Sequence, residues 1–365
     1  MILAGGCAVK PADAPATFNR RFESLVKPYT FNYTAWEFKT LSHELKQDRQ
    51  VSEKTSASDS AAVVRFFSGN PDNQAQSVKD SVENILARQI SQVLADEGIY
   101  NPFLKTHFTF PPVNFKLEKP PYVLIISPRD KIERMRDATL KQDISLDQME
   151  KLESKLEQLN VSALVIPIGG LGATYPSFVM ENSDLKYTID TAAEEWLHQY
   201  LAFKPLGFRY VLDLLNIKPD ADIDSINETV AGLASEELGD LVYARFYAQY
   251  PQEQEKPADP AAFDFNAAMR QTRLTVDAYL ASGQIEQAEN YMEERRQFIN
   301  AHGYSIRKLN QAYFAFYGSY TYSPTSVDPL GDQVRTLRKQ SSSLKDFLET
   351  ASGLTSRQEL TDVLK

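Results

Sequence analysis

The run Glu194-Glu195-Trp196-Leu197-His198, followed by Asn227-Glu228-Thr229-Val230-Ala231, is the stretch on which the reading of this chain turns. Glu194 and His198 stand at i and i+4, so a helix brings a carboxylate and an imidazole together on one face. Glu195 sits one step around the same helix. A metal needs donors that converge, and this spacing supplies two with almost no loop entropy. Glu228, on a second helix, is placed to be a third. Trp196, Leu197, Tyr200 and Leu201 read as core residues of the first helix rather than ligand contacts. Glu236 and Glu237 read as a solvated helix face.

The flanks of this run predict an α+β chain with segregated elements. It is mostly helical, with a small mixed sheet next to the motif helix and a helical C-terminal half. Residues 188–203 form the motif helix and 223–240 another. Upstream, Phe108–Phe115, Tyr122–Ile126 and Ser162–Ile168 read as short apolar or alternating strands. Gly169-Gly170-Leu171-Gly172 reads as a turn needing positive φ, and Ala173–Val179 as a second or edge strand. The Ser127-Pro128-Arg129-Asp130 segment reads as a capped helix start. Apolar residues at three- and four-residue spacing predict helices near Trp36–Leu45, over 73–98, and over 144–158. The Asn70-Pro71-Asp72-Asn73 cluster supplies a turn and cap signal. From about 264 the chain reads all-helical, with a hairpin turn at Ala281–Gln284 and further helices near 304–318, 328–338, 341–351 and 355–364. Four segments follow: a tether at 1–17, an N-terminal helical region at 18–105, an α+β domain carrying the motif helix at 106–250, and a helical C-terminal domain at 251–365. No internal repeat stands out.

Composition narrows the classes. The chain has 365 residues, is 42% hydrophobic and carries a net charge of -10. That size supports a sizeable core. The acidic balance argues against nucleic acid as a partner. No stretch approaches the roughly 18 consecutive apolar residues of a membrane helix. The single cysteine, Cys7, excludes an internal disulfide. Its context, Leu3-Ala4-Gly5-Gly6-Cys7, looks like the end of a bacterial lipoprotein signal. That implies an extracytoplasmic protein held to the membrane by a lipid on Cys7. The apolar stretch before Cys7 is short for a complete signal. An ordinary N-terminus with a chance cysteine is the plain alternative.

The paired helices resemble the gluzincin metallopeptidases, the thermolysin and aminopeptidase clan. Their H-E-x-x-H helix is followed by a second helix carrying N-E-x-x-A. The nearest group is a set of bacterial zinc aminopeptidases with N-E-S-F-A at that place. Leu309-Asn310-Gln311-Ala312, followed by Phe316-Tyr317-Gly318-Ser319-Tyr320, is similar to a C-terminal patch of the same group. The resemblance covers roughly residues 160–350. It implies a zincin-like fold, with His198 and Glu228 as metal ligands and Glu195 as the base that takes a proton from a metal-activated water. Tyr320 would donate to the oxyanion of the tetrahedral intermediate. The strand over Gly169–Val179 would bind extended peptide or protein substrate by main-chain hydrogen bonds.

Glu194 departs from that pattern, since it stands where the family has its first histidine. A carboxylate can ligate zinc, so Glu194, His198 and Glu228 form a chemically possible set. Two carboxylates and one imidazole make a harder donor set, which shifts preference from zinc toward manganese or iron. The opposite reading makes Glu194 and Glu195 solvated residues of a dead site. Three functions follow: an active metallopeptidase, an inactive pseudo-peptidase serving as an envelope scaffold or peptide binder, or a helical lipoprotein with an accidental motif. His43, His107 and His302 lack ligand spacing with one another. The glycine run lacks the Gly-Lys-Ser/Thr ending of a phosphate loop, and no G-x-S-x-G is present to support a serine hydrolase.

Overall fold

The computed structural model describes residues 15–44, 56–69, 75–101, 109–214, 217–250, 263–320 and 323–365. Cys7 with residues 1–14 of the expected tether, the Asn70–Asn73 turn, and Phe108 at the start of one expected strand lie outside the described residues, and residues 15–17 open α1. The chain is α+β and mostly helical, as its periodicity predicts. Its α-helices are α1 (Pro15–Val26), α2 (Tyr33–Glu44), α3 (Ala57–Phe67), α4 (Gln76–Asp96), α5 (Leu146–Glu157), α6 (Leu185–Ala202), α7 (Pro205–Leu214), α8 (Ala221–Phe246), α9 (Phe265–Ala281), α10 (Ile285–Ala301), α11 (Gln311–Tyr317), α12 (Leu330–Gln340), α13 (Leu344–Ala351) and α14 (Arg357–Val363). Its strands are β1 (Phe115–Leu117), β2 (Tyr122–Pro128), β3 (Arg136–Leu140), β4 (Val161–Pro167), β5 (Gly170–Leu171) and β6 (Ser177–Val179).

These elements sort into two compact units. One unit collects Met1–Phe31, Tyr122–Ile166 and Leu274–Phe316. Its sheet runs β3-β2-β4, with β2 and β3 antiparallel. The apolar run of β2 is buried almost throughout, as befits a central strand. Phe22, Val26, Leu124, Ile126, Leu152 and Leu156 are among its core residues. Helix α5 starts on a capping box in which Ser145 and Gln148 satisfy each other's backbone amides. On the same helix the buried Glu153 accepts the Val165 amide at 2.7 Å and the Arg307 guanidinium at 2.6 Å. The Ser127–Asp130 segment is not a helix start. Ser127 Oγ accepts the Glu133 amide at 3.2 Å inside the connection from β2 to β3. A serine followed by proline and charged residues looks alike in a cap and in a hairpin connection.

The other unit collects Asn32–Pro121, Pro167–Arg273 and Tyr317–Lys365. Of the residues from Phe265 onward, Leu274–Phe316 belong to the first unit and the rest to this one. The sheet of this second unit runs β1-β6-β5, with β1 parallel and β5 antiparallel to β6. Helix α6 packs against β6, β5, α7 and α8. Its buried Ile189, Ala192, Ala193, Trp196 and Leu197 join Ile223, Ile226, Val230, Ala231 and Ala234 of α8 in one core. The Trp196 indole donates to Pro111 O at 2.7 Å, which satisfies its polar end inside that core.

Candidate metal centre

Helix α6 begins where Asp184 accepts the Tyr187 amide at 2.8 Å, and α8 where Asp220 accepts the Ile223 amide. These caps and the shared apolar core fix the rotation of both helices. One flank of α6 then presents Glu194 and His198 toward Glu228 of α8. One donor atom from each of these three residues lies within 4.8 Å of the others. His198 Nε2 and Glu228 Oε1 are 3.8 Å apart, with those side chains only 15% and 8% exposed. No lysine or arginine among the described residues forms an ion pair with Glu194, Glu195 or Glu228. Three carboxyl groups are therefore gathered with only an imidazole to offset them.

Two neighbours hold the donors in place. The Asn227 side-chain nitrogen lies 3.0 Å from His198 Nδ1, while Asn227 Oδ1 is buried without a partner. A half-turn of that amide would let Oδ1 accept from Nδ1–H. It would satisfy the orphaned oxygen and leave the Nε2 lone pair for a cation. Tyr210 of α7 donates its hydroxyl to Glu228 Oε1 at 2.7 Å, and its ring stacks on His198 with centroids 5.9 Å apart. That hydrogen bond occupies one Glu228 oxygen and helps fix the direction of the other. The orphaned amide oxygen, the convergent donors and the uncompensated carboxyl groups fit a divalent cation. Three protein donors also leave coordination positions for water or substrate.

The electrostatics point the same way. Burial, then the Glu228 and Asp190 carboxylates, push the Glu194 carboxyl up to about 8. Glu195 is pushed well above the usual carboxylate range by burial and by Glu194 and Glu228, against a hydrogen bond from the Gly172 amide. The Tyr187 phenol is raised chiefly by burial and also by Glu194 and Glu195, while a hydrogen bond with Thr191 opposes the rise. A cation among these groups would favour their ionised forms instead.

Glu195 sits against β5. A Cβ on Gly170 would come within 2.1 Å of Glu195 Oε1, and one on Gly172 within 2.8 Å of the Glu195 carbonyl oxygen. None of the glycines of the 169–172 run has a positive φ. The sequence expectation of a left-handed turn is replaced by close approach: glycine is needed because backbone lies directly on the motif helix. Gln199, one step beyond His198, donates to the Gly172 and Thr174 carbonyls at 3.2 and 2.8 Å.

Tyr320 lies half-buried in the turn after α11, its carbonyl accepting the Ser323 amide at 2.8 Å. Asn310 belongs to the unit that holds β2. There it donates to Ala163 O at 3.0 Å and accepts the Tyr313 amide, serving as a structural bridge and cap. Tyr210 brings a phenol onto Glu228, and periodicity alone does not single it out. Its only sequence signal is a third aromatic position, after Phe203 and Phe208, shortly beyond the motif helix. No family model, curated protein or solved structure matches the chain.

Proposed function

We propose that Glu194, His198 and Glu228 hold a divalent cation and that the chain is a metallopeptidase-like hydrolase of gluzincin type. The convergence of these three donors within 4.8 Å, each drawn from the two motif helices, carries this reading. When bound, such a cation supplies a Lewis acid that polarises a peptide carbonyl and acidifies water. Glu195 takes the proton from the attacking water and returns it to the leaving amine as the C–N bond breaks. Its burial and neighbouring carboxylates raise its affinity for that proton. Tyr210 and Asn227 hold the donor atoms at the required angles. Two carboxylates favour a hard ion such as manganese or iron(II), with zinc as the softer competitor. Extracytoplasmic anchoring through Cys7 belongs to the same proposal. Palmitate labelling that is lost in Cys7→Ala would support it, and unlabelled wild type would exclude it.

A pseudo-peptidase is the second reading, favoured by the engagement of Glu195 and β5 with each other. The Gly172 amide is bonded to Glu195 and its carbonyl to Gln199, so part of the strand edge is already paired. Metal titration of metal-free protein, followed by a peptide-hydrolysis assay, separates the readings. Binding with turnover that Glu195→Gln abolishes supports the enzyme. Binding without turnover, indifferent to Glu195→Gln, supports the scaffold. No binding of manganese, iron(II) or zinc defeats both.

A further inference from the structure

Helix α7 is apolar on two sides. Its inner side carries the buried Leu206 and Gly207 and places Tyr210 at Glu228. Its opposite side carries Phe208, Val211 and Leu212, spaced i, i+3 and i+4. Phe208 is 57% exposed, and the flanking Phe203 and Ile217 are 45% and 66% exposed. A surface helix ordinarily turns charged residues outward, and this one does not.

The charge around that face is distinctive. From Phe203 through Lys218 the cationic residues are Lys204, Arg209 and Lys218, against Asp213 alone, in a chain of net charge -10. Arg209 is tied to Asp220 at 3.0 Å, and Asp213 accepts the Asp220 amide at 2.7 Å. Lys204, its Nζ 5.8 Å from the Tyr200 ring centroid, and Lys218 stand at the two ends of the apolar face, and neither is in an ion pair among the described residues. Aromatic and aliphatic side chains bracketed by lysines are the chemistry of a helix lying in a bilayer surface. Interfaces with proteins share the phenylalanine but are depleted in lysine and draw on arginine, and the one arginine here is already paired. We infer that the outer face of α7, with Phe203 and Ile217, docks on an anionic lipid bilayer. The docking needs neither a lipid on Cys7 nor an occupied metal centre. It would set the candidate metal centre, which the inner face of α7 borders, next to the membrane surface.

The test is co-sedimentation of the full, unacylated chain with phosphatidylglycerol/phosphatidylethanolamine vesicles. The expected result is binding at low salt that weakens as salt rises and is several-fold poorer on phosphatidylcholine vesicles. Phe208→Glu combined with Ile217→Glu should weaken binding about tenfold or more with an unchanged circular-dichroism melt. Lys204→Glu combined with Lys218→Glu should remove the preference for anionic vesicles. Absence of wild-type binding, or equal binding by the Phe208/Ile217 variant, overturns the inference. Light scattering that shows the variants splitting a dimer, with vesicle binding unaltered, also overturns it in favour of a second copy. Metal titration of the same variants reads the candidate centre separately, so the two proposals fail independently.

Discussion

At the scale of single residues, the candidate centre is a problem of uncompensated charge. Glu194 stands where a neutral imidazole would stand in the resembled family. Its carboxyl, buried beside Glu228 and Asp190, is raised to about 8. We expect metal-free protein to gain thermal stability on adding manganese, because a ligand that binds only the folded state stabilises it. A melting temperature indifferent to manganese, iron(II) and zinc would speak against the centre. Tyr210→Phe removes the hydroxyl from Glu228 but keeps the ring on His198. Loss of an outer-sphere partner should weaken metal affinity about 10–100-fold with little change in folding, read by calorimetric titration. Asn227→Ala should act in the same direction through His198 Nδ1. These two positions separate a metal centre from a chance cluster, since a cluster without a cation would lose only a hydrogen bond at each.

At the scale of elements, two glycines set distances on which the site depends. Gly207 lies on the crossing of α6 and α7, where a Cβ would come within 2.2 Å of the Leu201 backbone. Backbone cannot swing aside as a side-chain end can. Gly207→Ala should therefore cost about 1–3 kcal/mol in denaturant unfolding and move Tyr210 away from Glu228, weakening metal binding as well. Gly239→Ala is the contrast. Its Cβ would meet the Asp190 carboxylate, the end of a side chain that can rotate. It should cost less, and a larger loss than at Gly207 would contradict this account. Helix α7 itself was not legible from periodicity. It is apolar nearly all round, so it shows no polar face to mark it as a helix. Helix α3, with Val63 and Phe66 buried, shows too few apolar residues among polar neighbours to be marked by periodicity. Strand β3, Arg136–Leu140, lacks an apolar alternation because four of its five residues are only half-buried.

At the scale of the whole molecule, each compact unit is assembled from three separated stretches of chain. Buried charge gives the molecule a pH signature. Glu83 of α4 is 4% exposed at its side chain and bonded to Lys116 at 2.9 Å and to the Leu117 amide at 2.8 Å. Burial, outweighing the Lys116 charge, raises its carboxyl from 4.5 to about 7. Between those values the folded chain holds a proton that the unfolded chain releases. Stability from this group is therefore present below pH ~4.5 and declines as pH rises toward ~7. The Asp190 carboxyl, raised to about 6 chiefly by burial, adds a slope of the same sign. Glu83→Gln keeps the acceptor for Leu117 and removes the titration. We expect it to flatten the fall in unfolding free energy between pH 4.5 and 7 by an amount on the order of 2 kcal/mol, read by denaturant titration at each pH. A wild-type stability that rises relative to that of Glu83→Gln over that range would refute the sign.

The sequence by itself determined the helices that matter to the site. Leu185–Ala202 and Ala221–Phe246 are long and capped, and the first carries Glu194 and His198 at a spacing that local geometry fixes. It also determined the α+β class, because short apolar runs bounded by proline and glycine cannot be amphipathic helices. Only the tertiary structure decided that the three donors meet, since Glu194 and Glu228 are joined by packing between helices and not by spacing. It alone placed Tyr210 on Glu228, Asn310 in a different unit, and Gly170 and Gly172 against Glu195. The physical reason is common to all four. A helix dictates which residues share a face, but which face meets which is set by the burial of apolar surface over the whole chain, a quantity no short window contains.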